Sequence, residues 1–208
     1  GVQTCALPIS GGLLAWILEE WRGETVSGQQ LADTLGVSRQ AVSKAVSDLR
    51  LSGQSILAVP GKGYTLEAGS AGWSVPGISK YLSADTWRLD LREAVGSTND
   101  EVRRAAREGQ EEGYVCLARS QSAGRGRRGR TFYSPGHTGL YLSVLLRPGD
   151  RLALSDAVQI TVLAAVAAAE AVEAVSGQPV GIKWVNDLLM DDRKVAGILT
   201  EGELDLEG

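Results

Sequence analysis

One segment limits the fold of this chain more than any other: the ten residues from Gln121 to Arg130 carry four arginines interspersed with glycines. Glycine adopts backbone conformations closed to other residues, so such a segment has no fixed shape by itself. It does let backbone N–H groups approach an anion closely. Each guanidinium also offers a planar fork of donors to phosphate or carboxylate. The run is typical of a loop that binds a polyanionic ligand.

Disordered RGG-like tails that bind nucleic acids have a similar composition, so the flanking residues decide between the two interpretations. An apolar segment, Tyr114–Ala118, leads into the run, and an alternating segment, Leu140–Leu146, follows it. Both patterns predict β-strands. Because the run is not repeated and lies between strands, we interpret it as a loop inside a folded domain.

Two further motifs accompany this loop. Upstream, Gly96-Ser97-Thr98-Asn99 opens a predicted helix, in which Thr98 and Glu101 have the spacing of a capping box. Downstream, the segments Gly181–Met190 and Asp191–Leu199 predict short strands joined by Asn-Asp and Asp-Asp turns.

In this order and at these separations, the motifs resemble those of the biotin protein ligases, which read S-T-N, G-R-G-R-x-G-R and K-W-P-N-D before a K-x-x-G-I-L strand. The resemblance covers nearly all of residues 12 to 203. Val185 stands where the family usually has proline, which changes the rigidity of a turn but removes no polar group. The resemblance implies an α+β fold, with an N-terminal winged helix-turn-helix followed by a mixed-sheet, class II synthetase-like biotin/lipoate ligase domain.

The resemblance also implies an activity: ATP-dependent formation of biotinyl-5′-AMP, then transfer of biotin to one lysine of a biotin carboxyl carrier protein. Biotin, ATP and Mg²⁺ are the expected small molecules, and biotinyl-AMP doubles as a corepressor. Two other functions stay open, a lipoate or octanoate ligase-transferase of the same fold and a ligand-sensing repressor without catalysis. The arginine-rich loop and the Lys-Trp-Val-Asn-Asp segment favour biotin over lipoate.

Carried over residue by residue, the family pattern assigns three groups of site residues. The expected catalytic residues are Lys183 and Arg127. The expected biotin-binding residues are Ser97, Thr98, Asn99, Gln121, Arg125, Gly126, Arg127 and Lys183. The expected ATP and adenylate contacts are Arg125, Arg128, Arg130, Phe132 and Asn186.

Several of these residues have plainer alternatives. The Ser-Thr pair at the helix start would serve as a cap, a role compatible with binding. Lys183 ends a predicted strand, where lysine is usually surface decoration, and Phe132 would either stack on adenine or pack in the core. No metal ligand is certain, with Asp187 the one candidate for magnesium. His137, the only histidine, is interpreted as a loop residue, which argues against zinc or Cys-His chemistry.

The N-terminal third has the pattern of a helix-turn-helix. Apolar residues at helical spacing predict a first helix over Leu13–Trp21. A second helix over Gln29–Leu35 ends at Gly36, and Ser38 caps a third. The sequence therefore predicts three helices with a short turn between the last two.

A two-stranded wing is predicted next, with Ser55–Val59 and Gly63–Leu66 on either side of the turn Pro60-Gly61-Lys62. In a DNA-binding interpretation the third helix enters a major groove and the wing approaches the backbone. The expected DNA contacts are Arg39, Gln40, Ser43, Lys44 and Lys62. A helical protein-interaction module is the alternative. The segment resembles the N-terminal domain of bifunctional biotin ligase/operon repressors, which implies operator DNA as a partner and a homodimer when liganded.

Charge and composition set the remaining expectations. The net charge is −4, so DNA binding has to come from a local patch. The Ala-rich stretch Val158–Val175 is interpreted as a buried helix, and no membrane partner is expected. Once Cys5 is set aside, Cys116 is the one remaining thiol, which fits a reducing cytoplasm.

The expected domain organisation has four parts. Residues 1–11 are interpreted as an artefact, because the first nine match the translation of a sequencing-adapter oligonucleotide. Residues 12–67 form the winged helix-turn-helix, and residues 68–79, rich in Gly, Ala and Ser, form a linker. Residues 80–208 form the ligase domain, expected to be incomplete at its C-terminus because the family continues through another strand and a small barrel.

Overall fold

The structure is a computed structural model that describes residues 11–51, 53–68, 73–82, 86–136, 138–149 and 157–203. The chain divides into two compact units, Gly1–Trp87 and Arg88–Gly208. Buried apolar residues form one cluster in the first unit and two in the second. Each unit is therefore described by itself.

Helices and a small sheet alternate along the first unit. In chain order they are α1 (Gly11–Glu20), β1 (Thr25–Val26), α2 (Gly28–Leu35), α3 (Arg39–Leu51), β2 (Ile56–Val59), β3 (Gly63–Leu66) and α4 (Val75–Ser79). The three strands form an antiparallel sheet in the order β1-β3-β2. The predicted helix-turn-helix and its two-stranded wing are confirmed.

Local side chains determine where α2 and α3 begin and end. Ser27 Oγ accepts the N–H of Gln30 at 3.0 Å, and the Gln30 side chain accepts the N–H of Ser27, which closes a capping box before α2. Gly36 ends α2 in the left-handed conformation at φ 66°. Ser38 Oγ accepts the N–H of Ala41 at 3.2 Å and caps α3, as the sequence predicts.

One apolar face of each of the first three helices points into a common core. Its largest fully buried side chains are Leu14, Leu18, Leu31, Val42 and Val46. The hairpin adds Ile56 and Leu66 to the same cluster. Since burying one such side chain stabilises a fold by about 1.5–3 kcal/mol, helices and wing depend on each other for stability.

Helix α4 lies in the segment for which composition predicts a linker. Its N-cap Ser74 accepts the N–H of Gly77 at 3.0 Å, and the helix packs against α1. Lys80, just after α4, donates to Glu19 of α1 at 2.6 Å. Residues 69–72 lie outside the described residues. The described part of this segment is therefore attached to the first unit by specific contacts.

The second unit contains both helices and sheets. In chain order its elements are β4 (Arg88–Arg92), α5 (Thr98–Arg107), β5 (Tyr114–Ala118), a 3₁₀ turn (Arg127–Gly129), β6 (Tyr141–Val144), α6 (Ala157–Ser176), β7 (Gly181–Lys183), β8 (Asp187–Met190) and β9 (Arg193–Gly197). Strands β4 and β5 are parallel, whereas β5 and β6 are antiparallel, so this sheet is mixed as predicted.

A second sheet of this unit has the order β7-β8-β9 and is antiparallel throughout. The predicted Asp-Asp turn joins β8 to β9, whereas the turn between β7 and β8 is formed by Trp184-Val185-Asn186, and Asp187 belongs to β8. Asp191 and Asp192 both have positive φ, of 48° and 58°. Two-residue hairpin turns of this handedness match the natural twist of the strands, and aspartate tolerates the left-handed region better than most residues.

The crossover through α5 determines where a ligand site can form. Arg92 and Ala118 are paired in the parallel ladder, so the carboxyl ends of β4 and β5 lie side by side. Helix α5 begins just after β4, and its Val102 packs against Cys116 of β5. The start of α5 and the loop after β5 therefore meet at one sheet edge, where ligands usually bind in open α/β sheets.

Helix α6 is not the buried helix that the sequence predicts. From Val158 to Ser176, Ala165 and Ala169 are the buried residues and pack against Leu188 of β8, whereas Leu163 is 67% exposed and Val175 is 91% exposed. The prediction is wrong because the contact with the sheet uses the small alanine side chains and leaves larger apolar side chains outside it.

By length and composition alone, the part of α6 from Val158 to Ser176 is long and apolar enough to cross a membrane. Gly177 follows at φ 67° and ends the helix as predicted. Ser155, which the sequence predicts as the N-cap, lies outside the described residues.

Candidate functional site

A side chain from the glycine-arginine loop caps the start of α5. Gln121 Oε1 accepts the backbone N–H of Thr98 at 2.8 Å and its hydroxyl at 3.1 Å. Ser97 is the N-cap residue but makes no side-chain cap hydrogen bond. The capping box predicted for Thr98 and Glu101 does not form, because Gln121 takes the N–H at the helix start. Glu101 is instead hydrogen-bonded to Arg104.

The hydrogen bonds continue from Gln121 to the end of the loop. Gln121 Nε2 donates to Ser134 Oγ at 3.0 Å, and that hydroxyl donates to the Phe132 carbonyl at 3.1 Å. On the other side, Ser143 Oγ of β6 lies 2.8 Å from Thr98 Oγ1. The buried members of this polar row are Ser97, Thr98, Ser134 and Ser143. Polar groups placed away from water need partners, so the row holds oriented donors and acceptors.

Ser134 and Ser143 were not predicted as site residues. No sequence pattern indicated Ser143, because the alternation along β6 would place Leu142 and Val144 inside, whereas the structure buries Ser143 and exposes both neighbours. Ser134 had no pattern either, since its burial depends on the path of the loop.

An open cleft of about 530 Å³ adjoins this polar row. It lies beyond the carboxyl ends of β4 and β5, in the position that the crossover favours. The residues that line it are Ala94, Val95, Gly96, Ser120, Gln121, Ser122, Ser134, Pro135 and Gly136.

The loop is packed tightly where it turns back. A Cβ atom on Gly124 would lie 2.6 Å from the Phe132 carbonyl oxygen and 2.6 Å from Ser134 Oγ. The N–H of Phe132 donates to the Gly124 carbonyl at 2.8 Å, and the N–H of Gly126 donates to the Arg130 carbonyl at 2.7 Å. Gly124 is therefore required by close packing, and the tip of the loop is a closed turn.

A second cluster connects the loop with the sheet β7-β8-β9. Arg127 donates to Asn186 Oδ1 at 3.1 Å, and Asn186 Nδ2 donates to Asp187 Oδ1 at 2.8 Å. Lys194 Nζ also donates to Asp187 Oδ1 at 2.8 Å and lies 5.7 Å from the centroid of the Phe132 ring. Four predicted site residues therefore lie close together: Arg127, Phe132, Asn186 and Asp187. Lys194, which was not predicted, lies among them.

The two lysines of this region have different surroundings. Lys183 is exposed at the end of β7, and its Cα is paired with that of Asp187. Among the described residues, its ammonium group donates no hydrogen bond. Lys194 is inside the cluster. It is the first residue of the K-x-x-G-I-L segment, which is the one sequence signal that could have indicated it.

Asp187, the candidate magnesium ligand, is engaged at one of its two carboxylate oxygens. Its Oδ1 atom already accepts hydrogen bonds from Asn186 and from the positively charged Lys194. In the part of the chain that the structure describes, no three His, Cys, Asp or Glu side chains gather into a metal site. His137, predicted as a loop residue, lies outside that part.

The first unit presents a separate candidate surface for DNA. The four predicted residues of α3, which are Arg39, Gln40, Ser43 and Lys44, are all exposed. Lys62 is exposed in the wing turn beside Gly61, whose φ is 74°. The helix and the wing therefore each offer polar and cationic groups to solvent.

Comparison with known proteins gives matches for both units. Residues 93–205 match the biotin/lipoate A/B protein ligase family, and residues 13–65 match an HTH domain. The bifunctional ligase/repressor BirA of Bacillus subtilis (strain 168) is 37% identical over 180 residues, which is 86% of this chain and 55% of that protein. BirA of Escherichia coli (strain K12) is 38% identical over 180 residues, with 86% and 54% covered.

The chain spans about half the length of these curated relatives. A similar solved structure is the biotin protein ligase from Aquifex aeolicus in complex with biotin and ATP. It is 32% identical, covers 55% of this chain and 46% of that chain, and has a TM-score of 0.46.

Proposed function

Because the chain belongs to the biotin/lipoate A/B protein ligase family, we propose that it activates biotin with ATP and transfers biotin to a lysine of a biotin carboxyl carrier protein. The observation that carries the proposal is the contact between two unlike environments. A buried neutral row, which includes Thr98 and Ser134, lies beside a loop of guanidinium groups. The uncharged polar ring of biotin requires neutral donors and acceptors. The biotin carboxylate and the ATP phosphates require cationic groups.

The proposed reaction has two steps. A biotin carboxylate oxygen attacks the α-phosphorus of ATP, which forms the mixed anhydride biotinyl-5′-AMP and releases pyrophosphate. The carrier lysine amine then attacks the carbonyl carbon, the amide bond forms and AMP leaves. Since the first step brings two anions together, it depends mainly on positioning and on cationic stabilisation of developing charge.

The neutral row is the proposed site of the biotin ring. Gln121 would exchange hydrogen bonds with the ureido group, together with Ser97, Thr98 and Asn99 at the start of α5. The backbone of Gly126 would contact the same ligand. This assignment is supported by the burial of Ser97 and Thr98, to 3% and 4% exposure, beside the open cleft.

The cationic cluster is the proposed site of the carboxylate and the adenylate. Lys183 and Arg127 remain the proposed catalytic cations, and the contact of Lys194 with Asp187 adds a third. Phe132 would pack on adenine.

Three further groups would act at the nucleotide. Arg128 and Arg130, which are exposed in the loop, would contact pyrophosphate. Asn186, the hydrogen-bond partner of Arg127, would contact the adenylate. Magnesium would be held mainly by the ATP phosphates and water, with Asp187 the one candidate side chain.

For the first unit we propose binding to operator DNA as a biotin-dependent repressor in the cytoplasm, with homodimerisation when liganded. Support comes from the HTH match over residues 13–65 and from relatives named as bifunctional ligase/repressors. The proposed boundaries are residues 12–67 for the DNA-binding domain, 68–79 for a linker and 80–208 for the ligase domain. Residues 1–11 remain a proposed artefact.

A pyrophosphate-release assay tests the enzymatic proposal in the 208-residue chain and in the complete gene product. Biotin should support release and labelling of a carrier domain, whereas lipoate and octanoate should not. Lys183→Ala should slow single-turnover adenylation by about 10²–10³-fold with biotin binding nearly unchanged, and Lys194→Ala is measured beside it. Glu111→Gln, which alters only an exposed ion pair with Arg88, is the control.

Each rival function has its own outcome in this assay. Preferential use of lipoate or octanoate would support the ligase-transferase. Biotin binding without pyrophosphate release, in both proteins, would support a ligand-sensing repressor. Normal adenylation by Lys183→Ala would remove that lysine from catalysis.

A further inference from the structure

A buried carboxylate lies where α1 ends. The side chain of Glu19 is 4% exposed, and it accepts hydrogen bonds from Arg22 Nε at 2.9 Å and from Lys80 Nζ at 2.6 Å. A buried charge is costly unless charged partners and hydrogen bonds compensate it. Arg22 is a local partner, but Lys80 is the residue that follows α4. Compensation of the Glu19 charge therefore ties the end of α4 to α1.

The other end of α4 is tied to α3. Gln54 Nε2, just beyond α3, donates to the carbonyl of Trp73 at 3.1 Å, and Trp73 directly precedes the N-cap Ser74. The backbone N–H of Gln54 donates to the Leu49 carbonyl of α3 at 3.0 Å. One residue therefore closes the end of α3 with its backbone and holds the start of α4 with its side chain.

Between its two tied ends, α4 packs against α1. Its buried residues are Pro76 and Gly77. A helix of five residues gains too little from its own hydrogen bonds to form alone in water, because helix nucleation is unfavourable and few bonds follow it. The conformation of α4 therefore depends on its contacts with α1 and with the residue beyond α3.

We propose that α4 is a brace between the ends of α1 and α3, with Lys80 and Gln54 as the positioning residues that hold it. Residues 73–80 then support the DNA-binding surface of α3 without touching DNA. The proposal rests on the proposed function of the first unit only for the identity of the ligand. A recognition helix whose orientation is fixed in advance loses less conformational entropy on binding, so affinity depends on the brace.

The brace gives the second half of the proposed linker a different role. A flexible linker would leave the winged helix unaffected by changes within it. A brace makes its two attachment points depend on each other, although Lys80 is attached to α1 and Gln54 adjoins α3. Loosening one end should therefore loosen the other, and this reciprocity separates a brace from a linker.

Amide hydrogen exchange by NMR measures the reciprocity in the ligand-free protein. Lys80→Met removes the ammonium group and should speed exchange of the Gln54 amide by about two- to fivefold, the range for a partly exposed ion pair. Gln54→Met should likewise speed exchange of the Lys80 amide, which donates to the Pro76 carbonyl at 3.3 Å. Lys80→Arg, which keeps the cation, should restore slow exchange. Glu20→Gln, an exposed change at the same end of α1, is the matched control.

The Leu31 amide reports on the unit as a whole, because it donates to the Ser27 carbonyl at 3.0 Å in α2, away from the brace. Its exchange should not change in either variant. Equal acceleration at Leu31 would mean that the whole unit is destabilised, and it would overturn the proposal. So would faster exchange confined to the end that carries the substitution, since the two contacts would then be independent.

Fluorescence anisotropy measures the effect on DNA binding. The probe is a duplex that the unaltered protein selects from a random pool in the presence of biotin and ATP. Lys80→Met and Gln54→Met should each weaken its binding by about two- to fivefold, and the double variant should bind no more weakly than the weaker single variant. The salt dependence should stay the same, because no phosphate contact is lost. A salt dependence reduced by about one phosphate contact in Lys80→Met would show that Lys80 binds DNA directly, and it would overturn the proposal.

Failure of the proposed function gives a different pattern. If the unaltered protein selects no duplex, DNA binding fails as a function, and a reciprocal response in hydrogen exchange still supports the brace. If the protein selects a duplex and both variants bind it normally, although exchange is fast at both ends, the DNA-binding function stands and the proposal falls.

Discussion

At the scale of single residues, the thiol of Cys116 is buried and unreactive. Its side chain is fully buried in β5, and burial raises the pKa of the thiol to about 11 from its usual 9.0. The thiolate is the reactive form, so its population at neutral pH falls about a hundredfold, and burial blocks access as well. In a Cys5→Ser variant, iodoacetamide should modify Cys116 only after denaturation. Rapid labelling of the native protein, seen by mass spectrometry, would contradict this environment.

Glu19 is a buried carboxylate whose ionisation stabilises the first unit. Burial works against its charge, but hydrogen bonds from Arg22 and Lys80 outweigh that cost, and the pKa of Glu19 is lowered from its usual 4.5. A lowered pKa gives stability that is present above about pH 4.5 and lost as the pH falls through the folded-state value.

Glu19→Gln should therefore destabilise the first unit by about 1.5–3 kcal/mol at pH 7, the range for hydrogen bonds to a charged group. The loss should shrink below pH 4.5, where the native carboxyl also becomes protonated. Glu24→Gln, an exposed change in the same unit, is the control. Denaturation monitored by hydrogen exchange in α1 measures both, and a pH-independent difference would contradict the assignment.

At the scale of single residues, the sequence predicted which site residues lie close together but not all of their hydrogen-bond partners. The family pattern placed Thr98, Gln121, Arg127 and Asn186 in one region, and they do lie in connected clusters. Lys194 begins the K-x-x-G-I-L segment, but its contact was not predicted, because the pairing of β8 with β9 brings its ammonium group to Asp187 and no local spacing shows this.

Among the elements, the wing depends on one glycine. Gly63 has φ 137°, and a Cβ atom there would lie 2.0 Å from the Val26 carbonyl oxygen and 2.7 Å from Ser27 Cα. Gly63→Ala should destabilise the first unit by about 2–4 kcal/mol, because backbone strain and a clash with backbone add together. Gly61→Ala, also at positive φ but with no atom nearby, isolates the strain alone. Equal losses of melting temperature would argue against the clash.

The third helix and the wing should contribute differently to DNA binding. Lys62→Ala should weaken binding to all sequences alike and reduce the salt dependence by about one phosphate contact. Gln40→Ala should relax sequence choice at defined positions, at a cost of about 1–3 kcal/mol for each lost base contact. Binding that is insensitive to salt, measured by fluorescence anisotropy, would favour the protein-interaction module.

Elements with strong local determinants were predicted well. Ser38 and Gly36 gave the ends of α3 and α2, and the turn residues gave the wing. Helix α6 was predicted incorrectly in its burial, because apolar composition does not show which face of a helix meets a sheet. The structure places alanines at that contact, with Leu163 and Val166 outside it.

At the scale of the whole molecule, one group of exposed apolar residues lies on a sheet edge of the second unit. Along and beside the edge strand β6, Leu140, Leu142, Val144 and Leu146 alternate with inward residues and are 36% to 58% exposed. Exposed apolar edge strands promote association. The 208-residue chain should therefore self-associate as its concentration rises, as measured by sedimentation velocity.

Leu142→Ser should reduce this association by making the edge polar. Leu57→Ser is a matched control, since Leu57 is a strand residue of the first unit with the same 50% exposure. An equal effect of the two changes would mean that general surface apolarity, and not the β6 edge, drives association.

At the scale of the chain, the sequence predicted the order of the two folds, because each has its own motif. Both family matches follow that order, over residues 13–65 and then 93–205. The ordered structure of residues 73–82 could not be predicted, because their composition is that of a linker. It does not reveal the cap at Ser74 or the ion pair of Lys80 with Glu19.

The close packing of Gly63 against the Val26 backbone attaches the wing to the segment before α2. Val26 runs directly into Ser27, whose side chain caps α2. A displacement of the wing turn at Lys62 should therefore also displace the first turn of α2. If the first unit binds DNA as proposed, the wing should therefore favour a duplex whose backbone lies at the distance from α3 that this close packing sets.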